Sequence, residues 1–411
     1  MPLLKALRPT LPILVGASLM LTLSMGIRQS LGIFMQPLTR DVGISVSEFT
    51  LAIAVQNLAW GFLQPLAGGM TVRYGFRAIM VTGAALYVAG LALMATAHGF
   101  LGIMVGAGAL IGASLACTAA AMAMSVAARA VPDSVRSTVL GIVSAAGSLG
   151  ALFSAPIGQV LSQDLGWRAG LLGFVVLSLL MVPAAWYAGR VDKVPLPKPS
   201  ADQLDEVSAG AAVSTAFSNA SFMVMTCAYF VCGMQLVFIT THLPSYLSIC
   251  GMDPMLSAET LGVIGGFNVL GSLFFGWAGG RWNKLALLGG IYICRSLVLA
   301  LYFMVPPTPM TTLVFGSFIG FLWLGVAPLV AGAVVEMFGL QWQAMIQGLA
   351  FMSHQVGSFV GAYGGGLIYD AAGSYTLAWR IGVAVGLAAG IIQVAFALIR
   401  PTAAPPVLRT A

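Results

Sequence analysis

An all-α membrane protein, with twelve transmembrane helices in two pseudo-symmetric six-helix bundles, is expected from three features of the chain. The 411 residues are 59% hydrophobic and only 7% charged, whereas soluble domains carry about a quarter charged residues. Apolar runs long enough to cross a hydrocarbon layer recur from one end to the other. The second half also repeats the first. Gly150-Ala-Leu-Phe-Ser-Ala-Pro-Ile-Gly158 is answered 207 positions later by Gly357-Ser-Phe-Val-Gly-Ala-Tyr-Gly-Gly365, and Arg129 to Gly141 spans the same interval as Glu336 to Gly348.

The first apolar run, 11–38, is too long for a signal-peptide core, and no small-residue cleavage site stands out, so it reads as a retained first helix. Five more follow at 48–71, 77–97, 100–130, 135–163 and 167–189. The second set runs 221–249, 257–279, 284–304, 310–338, 341–370 and 375–399. Thirty residues at about 1.5 Å each are ample for a slab about 30 Å thick. In the eleventh run, glycines 357, 361, 364, 365 and 366 thin one face so that another helix can approach. Between the two sets, a segment first rich in Pro and charge, then in Ala and Ser, reads as a linker ending in a short surface helix. The expected domains are therefore an N-terminal bundle at 1–190, a cytoplasmic linker at 191–220 and a C-terminal bundle at 221–411.

Charge gives the orientation. Lys5, Arg8, Arg73, Arg77, Arg129, Arg136, Arg190, Lys193, Lys198, Arg281, Lys284, Arg400 and Arg409 lie at the termini or in even-numbered loops, against Arg40, Arg168 and Arg380 on the other side. Basic loops stay inside, so both termini are expected in the cytoplasm of a bacterial-type inner membrane. The net charge of +6 is then a topology signal rather than a sign of nucleic-acid binding. The five cysteines, at 117, 227, 232, 250 and 294, have no metal-type spacing and read as small buried hydrophobes. No P-loop, metal-ligand cluster or embedded nucleophile–base pair is suggested, so neither an enzyme nor a cofactor or metal is expected.

Between the second and third runs stands Gly68-Gly-Met-Thr-Val-Arg73-Tyr-Gly75-Phe-Arg77, with a worn copy, Gly276-Trp-Ala-Gly-Gly280-Arg281-Trp-Asn283-Lys284, between the eighth and ninth. This resembles the loop signature of the major facilitator superfamily, G-x-x-x-D-R-x-G-R-R, and the resemblance implies that family's transporter fold. The acidic position of the signature is Val72 in the first copy and Gly280 in the second. Glu336, at the end of the tenth helix, is the expected substitute partner for Arg73 or Arg281. Gly26-Ile-Arg28-Gln-Ser-Leu-Gly-Ile-Phe34, Thr241-His242-Leu-Pro-Ser-Tyr246 and Ser353-His354-Gln-Val-Gly357 resemble the monocarboxylate and oxalate:formate transporter group. The oxalate:formate exchangers have a lysine where His354 stands and an arginine near the position of Ser272.

In that fold the first, fourth, seventh and tenth helices, with the second, fifth, eighth and eleventh, surround the cavity. An ionisable side chain inside a bilayer costs roughly 2.5–3.5 kcal/mol on insertion scales, so each needs a reason. Arg28, well inside the first helix, suits the two-pronged binding of a carboxylate; the alternative is a structural arginine bonded to backbone carbonyls. His354 can donate to an anion or move a proton; the alternative is a buried neutral histidine. His242 lies beside Pro244 and reads as a packing or gate residue sooner than as a ligand. Asn57 and Asn268, near-equivalent in the two halves, and Gln29 and Gln355 are neutral hydrogen-bonding candidates. Arg295 falls in the ninth helix, where structural use is expected.

All twelve acids lie in loops or near helix ends, so no carboxylate is placed mid-membrane for a cationic drug. The expectation is a monomeric secondary transporter of a small organic anion, a monocarboxylate, by proton symport or anion exchange. The alternatives are an exporter of a drug, siderophore or other amphipathic compound, and a membrane receptor without flux.

Overall fold

A computed structural model describes residues 8–195 and 208–399. Residues 196–207 of the linker, Lys198 among them, together with Lys5, Arg400 and Arg409, lie outside the described residues. Every regular element described is helical.

Among the described residues, ten helices are long and apolar enough to cross a membrane. One of them, Val46–Ala95, breaks at Gly75, whose φ of 81° and ψ of 159° interrupt the helix, giving a second span at 46–74 and a third at 76–95. With Gln343–Ala372, which contains His354, the described helices make twelve. The first is Leu11–Asp41, the fourth Phe100–Ala130, the fifth Asp133–Leu165 and the sixth Trp167–Lys193. The seventh is Ala220–Ile249, the eighth Pro254–Ala278 and the ninth Lys284–Met304. The tenth is Pro309–Phe338, the eleventh Gln343–Ala372 and the twelfth Thr376–Ile399. The short surface helix is Ala209–Ser218, capped by the Ser208 hydroxyl, which accepts from the Ala211 N–H at 3.2 Å.

The chain divides into two compact units: Met1–Lys198 with Leu340–Gly348, and Pro199–Gly339 with Leu349–Ala411. In the first unit, the first helix tightens into a 3-10 turn at Leu31–Phe34, just past Arg28. Its neighbour is the fifth helix, and the approach leaves no room for side chains. A Cβ on Gly150 would sit 1.9 Å from the Thr22 carbonyl oxygen, and one on Gly26 would sit 2.4 Å from the Gly150 carbonyl carbon. In the second unit the same contact joins the seventh and eleventh helices. A Cβ on Gly233 would meet the His354 carbonyl at 2.0 Å, and one on Gly357 the Phe230 carbonyl at 2.0 Å. Gly26 and Gly150 stand 207 residues before Gly233 and Gly357. The interval in the sequence is therefore an interval in the packing. Within a bilayer, where apolar side chains gain little from meeting one another, such close backbone approach is a main source of helix cohesion.

Asp192, at the end of the sixth helix, serves the loop motif of the first half. The second helix ends at Gly75, leaving the N–H groups of Phe76 and Arg77 unbonded at the start of the third. The Asp192 carboxylate accepts both, at 2.8 and 3.0 Å. Arg129 holds that segment in place, donating to the Val194 carbonyl at 2.8 Å from Nη2 and 3.2 Å from Nε. In the second half the cap is local: Asn283 Oδ1 accepts from the Ala286 N–H at 3.0 Å. Glu336 hydrogen-bonds Lys284, so the partner expected for it, Arg73 or Arg281, is replaced by the lysine one turn from the loop. Arg73 and Arg281 are exposed and lie over neighbouring aromatic rings, Tyr74 at 5.2 Å and Trp277 at 4.2 Å. Arg77 covers the Trp186 ring at 4.4 Å. Gly68 faces the start of the eleventh helix, with its Cβ position 2.4 Å from the Ala344 carbonyl carbon.

Candidate functional site

In the first unit, the site centres on Arg28, half-buried in the last helical turn before the 3-10 segment. Its Nη2 donates to Asn57 Oδ1 on the second helix. Its guanidinium carbon lies 5.1 Å from the ring centroid of Trp60, one turn beyond Asn57. Trp60 is itself oriented, since its indole N–H donates to Gln64 Oε1 at 3.1 Å and Gln64 donates to the Ala116 carbonyl at 2.9 Å. Arg28 Nε is buried with no hydrogen-bond partner. Among the described residues, no carboxylate forms an ion pair with Arg28. The helix around it is anchored by Tyr87, which donates to the Ser24 carbonyl at 2.8 Å. What results is a cation held in place by a neutral amide and an indole face, with no ion pair to a described carboxylate. Gln29, the next residue, is exposed. Gln56 is turned away into a structural bond with the Ala107 carbonyl at 2.7 Å.

In the second unit, His354 is half-buried between Phe351, stacked on it at 5.5 Å, and Tyr229 at 4.6 Å. Its Nδ1 lies 3.3 Å from Gln355 Oε1 and 3.5 Å from Ser358 Oγ. Those distances mark loose contacts rather than a locked hydrogen bond. Gln355 is itself buried.

His242 differs. It is 7% exposed, with Nε2 2.8 Å from the Ala362 carbonyl and Nδ1 3.3 Å from the Tyr375 hydroxyl. A carbonyl only accepts, so Nε2 carries a hydrogen and donates it to Ala362, while the Tyr375 hydroxyl also donates to Ser245 Oγ at 3.3 Å. Through Nε2 the ring ties the seventh helix to the eleventh, which is the packing role weighed for it. Asn268 also has a structural bond, its Oδ1 accepting from the Leu324 N–H at 3.2 Å where the tenth helix is interrupted. Asn57 and Asn268 therefore do different work.

The repeat adds another residue. Arg28 plus 207 is Gln235. Gln235 is buried and accepts from Arg295 Nε at 3.0 Å, while its amide donates to Ser296 Oγ at 3.0 Å and the Gly382 carbonyl at 2.8 Å. In the first half the cation is on the first helix; in the second it is on the ninth, held by the glutamine at the position matching Arg28. Beside Gln235 opens an apolar cavity of about 100 Å³, lined by Met234, Phe238, Leu299, Val360, Gly361 and Trp379 among others. Trp60, Tyr229 and Phe351 escaped the sequence reading. The signal available was one-turn spacing, since Trp60 follows Asn57 by three residues and Phe351 precedes His354 by three.

Against known proteins, the family model for the Major Facilitator Superfamily matches residues 17–362. The chain belongs to the major facilitator superfamily. It is therefore a transporter rather than an enzyme. The superfamily relatives include the uncharacterised MFS-type transporter YcxA of Bacillus subtilis, 23% identical over 90% of this chain and 91% of the relative. They also include monocarboxylate transporter 13 of Rattus norvegicus, 24% identical over 82% of this chain and 76% of the relative. Among solved structures, the Escherichia coli fucose:proton symporter FucP aligns with a TM-score of 0.71 at 18% identity, covering 94% of this chain and 98% of that one. The proton:xylose symporter XylE aligns with a TM-score of 0.72 at 12% identity, covering 95% of each chain. At those identities the structural likeness shows the superfamily fold alone.

Proposed function

We propose that this superfamily transporter carries a small organic anion, a monocarboxylate, across a bacterial-type inner membrane, by proton symport or anion exchange. The carrying observation is the Arg28 guanidinium: inside a membrane span, placed by Asn57 and Trp60, with Nε unpartnered and no described carboxylate paired to it. A planar guanidinium with free donors matches a carboxylate geometrically, and an unpaired cation in a low-dielectric setting gains more from an anion than from a neutral sugar. His354, in the second unit, loosely bonded and flanked by Phe351 and Tyr229, is the candidate proton carrier. Two relatives are named monocarboxylate transporter 13, and the two solved neighbours are titled proton symporters, which supports both halves of the reading. Both termini lie in the cytoplasm, following the bias of basic residues.

Counterflow in proteoliposomes tests the reading: labelled lactate, acetate and formate are offered to vesicles loaded with the same unlabelled acid. The expected result is accumulation by the wild type and none by Arg28→Ala. Equal accumulation by both would remove the arginine from the site. The apolar cavity beside Gln235 favours a second reading, an exporter of an amphipathic compound. It predicts extrusion of an apolar dye by inverted vesicles and indifference to monocarboxylates.

A further inference from the structure

The apolar cavity beside Gln235 lies among the seventh, ninth, eleventh and twelfth helices, all within the second unit. Met234 and Phe238 line it from the seventh helix, Leu299 from the ninth, Gly364 from the eleventh, and Trp379 and Gly382 from the twelfth. The two glycines leave this space open instead of drawing backbones together. A Cβ on Gly382 would meet nothing within 4 Å, and one on Gly364 would meet only Val360 Cγ1 at 4.0 Å.

The repeat shows how the space arises. Trp167-Arg168-Ala169-Gly170 at the start of the sixth helix is answered 212 positions later by Trp379-Arg380-Ile381-Gly382 at the start of the twelfth. With the 207-residue interval that relates the fifth helix to the eleventh, Gly158 matches Gly365, Ile157 matches Gly364, Gly170 matches Gly382 and Phe174 matches Gly386. In the first unit the region is filled. Phe34 and Phe174, both fully buried, meet edge to face at 5.4 Å. Phe174 Cζ lies 2.6 Å from the Cβ position of Gly158, and Phe34 Cε1 lies 2.7 Å from that of Gly170. In the second unit both the isoleucine and the phenylalanine are replaced by glycine. Gln235 takes up part of the room, with Nε2 2.0 Å from the Cβ position of Gly386, and the rest stays open as the cavity.

Water is a poor occupant, because a buried water needs roughly two to four polar partners. Gln235 has none to offer: both amide hydrogens are donated, to Ser296 and Gly382, and its oxygen accepts from Arg295. Apolar cavities of about 150 Å³ stay dry and take apolar guests, and an unfilled one forfeits dispersion contacts along its walls. Two lining residues, Val360 and Ile381, are each 42% exposed. They share helix faces with exposed Leu367 and Leu377, so the mouth is continuous with apolar outer surface. The twelfth helix is the least buried of the ten spans and lies outside the eight that surround the transport path. At this depth of a membrane span, what covers such a surface is hydrocarbon chain.

We propose that the cavity is a slot for one acyl chain of a membrane phospholipid, which enters between the eleventh and twelfth helices and takes the place of the side chains that Ile157 and Phe174 supply in the first half. An unbranched chain suits a slot bordered by glycines and lined by apolar groups. The proposal is independent of the cargo, which is argued from Arg28 in the other unit.

The test is tryptophan fluorescence of the purified full-length protein in vesicles of phosphatidylglycerol with plain or brominated acyl chains. Bromine quenches an indole only at close range, and Trp379 is 2% exposed. The Trp379 emission is the difference between wild type and Trp379→Phe. It is expected in plain vesicles and should be lost in brominated ones. Gly364→Ile restores the side chain of the first half at an open Cβ position, and should recover the emission; Gly382→Leu is a second filling variant. Arg28→Ala should be quenched like wild type, so the transport reading and this one fail separately. Equal Trp379 emission in both lipids would overturn the proposal. So would undiminished quenching in both filling variants. Recovery of wild-type emission on adding an apolar dye that inverted vesicles extrude would also overturn it, by giving the cavity to cargo. If Trp379→Phe fails to fold, the change in total quenching between wild type and the filling variants decides.

Discussion

Arg28 is the residue through which most of the account runs, because its surroundings orient it without neutralising it. A hydrogen bond to a charged group contributes about 1.5–3 kcal/mol, so Arg28→Gln should weaken monocarboxylate binding roughly ten- to hundredfold, measured by scintillation-proximity binding. Arg28→Lys should not restore it, since an ammonium cannot reproduce the planar fork held against Asn57 and Trp60. His242 should behave differently. With Nε2 bonded to the Ala362 carbonyl, His242→Phe should lower thermal stability by about 1–3 kcal/mol while leaving the substrate midpoint unchanged in the folded fraction. Arg28 and His354 were legible in the sequence because an ionisable residue inside an apolar run stands out by its cost. Trp60 and Tyr229 were not, because an aromatic residue in such a run carries no excess cost and its partner is set by packing. The setting of Arg295 depended on Gln235, sixty residues earlier, which no local pattern connects to it.

At the level of helices, close backbone approach and unconventional capping carry the structure. Gly150→Leu would drive a side chain into the Thr22 carbonyl, and Gly357→Leu into that of Phe230. Both variants should fail to accumulate as folded protein by size-exclusion fluorescence, whereas Gly366→Leu, with nothing near its Cβ position, should be tolerated. The cap at the third helix gives a finer test. Asp192→Ala leaves two backbone N–H groups without acceptors, so a loss of about 1–3 kcal/mol in thermal unfolding is expected, and Asn283→Ala should cost about 1 kcal/mol in the second half. The glycines were visible in the sequence as a repeat; close contact with the seventh helix holds at Gly357, Gly361 and Gly365 but not at Gly364 or Gly366, whose Cβ positions meet no neighbouring helix. The cap was hidden. The loop motif lacks its acid at Val72, and the carboxylate that serves the loop comes from the far end of the bundle, a hundred and more residues later.

For the whole molecule, composition excluded a soluble fold, and twelve apolar runs with a 207-residue repeat pointed to paired bundles. The described helices follow those runs closely because bilayer thickness, rather than local propensity, sets their length. Superfamily membership follows from the family match. Orientation is a prediction of its own: green fluorescent protein fused after Ala411 should fluoresce, and alkaline phosphatase fused there should be inactive, because the basic loops hold that end in the cytoplasm. The cargo is the central claim, and equilibrium binding of labelled lactate to purified wild type and Arg28→Gln tests it most directly. The account predicts saturable binding to the wild type, displaced by other monocarboxylates and not by sugars, and weakened at least tenfold in the variant. Equal binding by the two proteins, or displacement by neutral sugars alone, would contradict it.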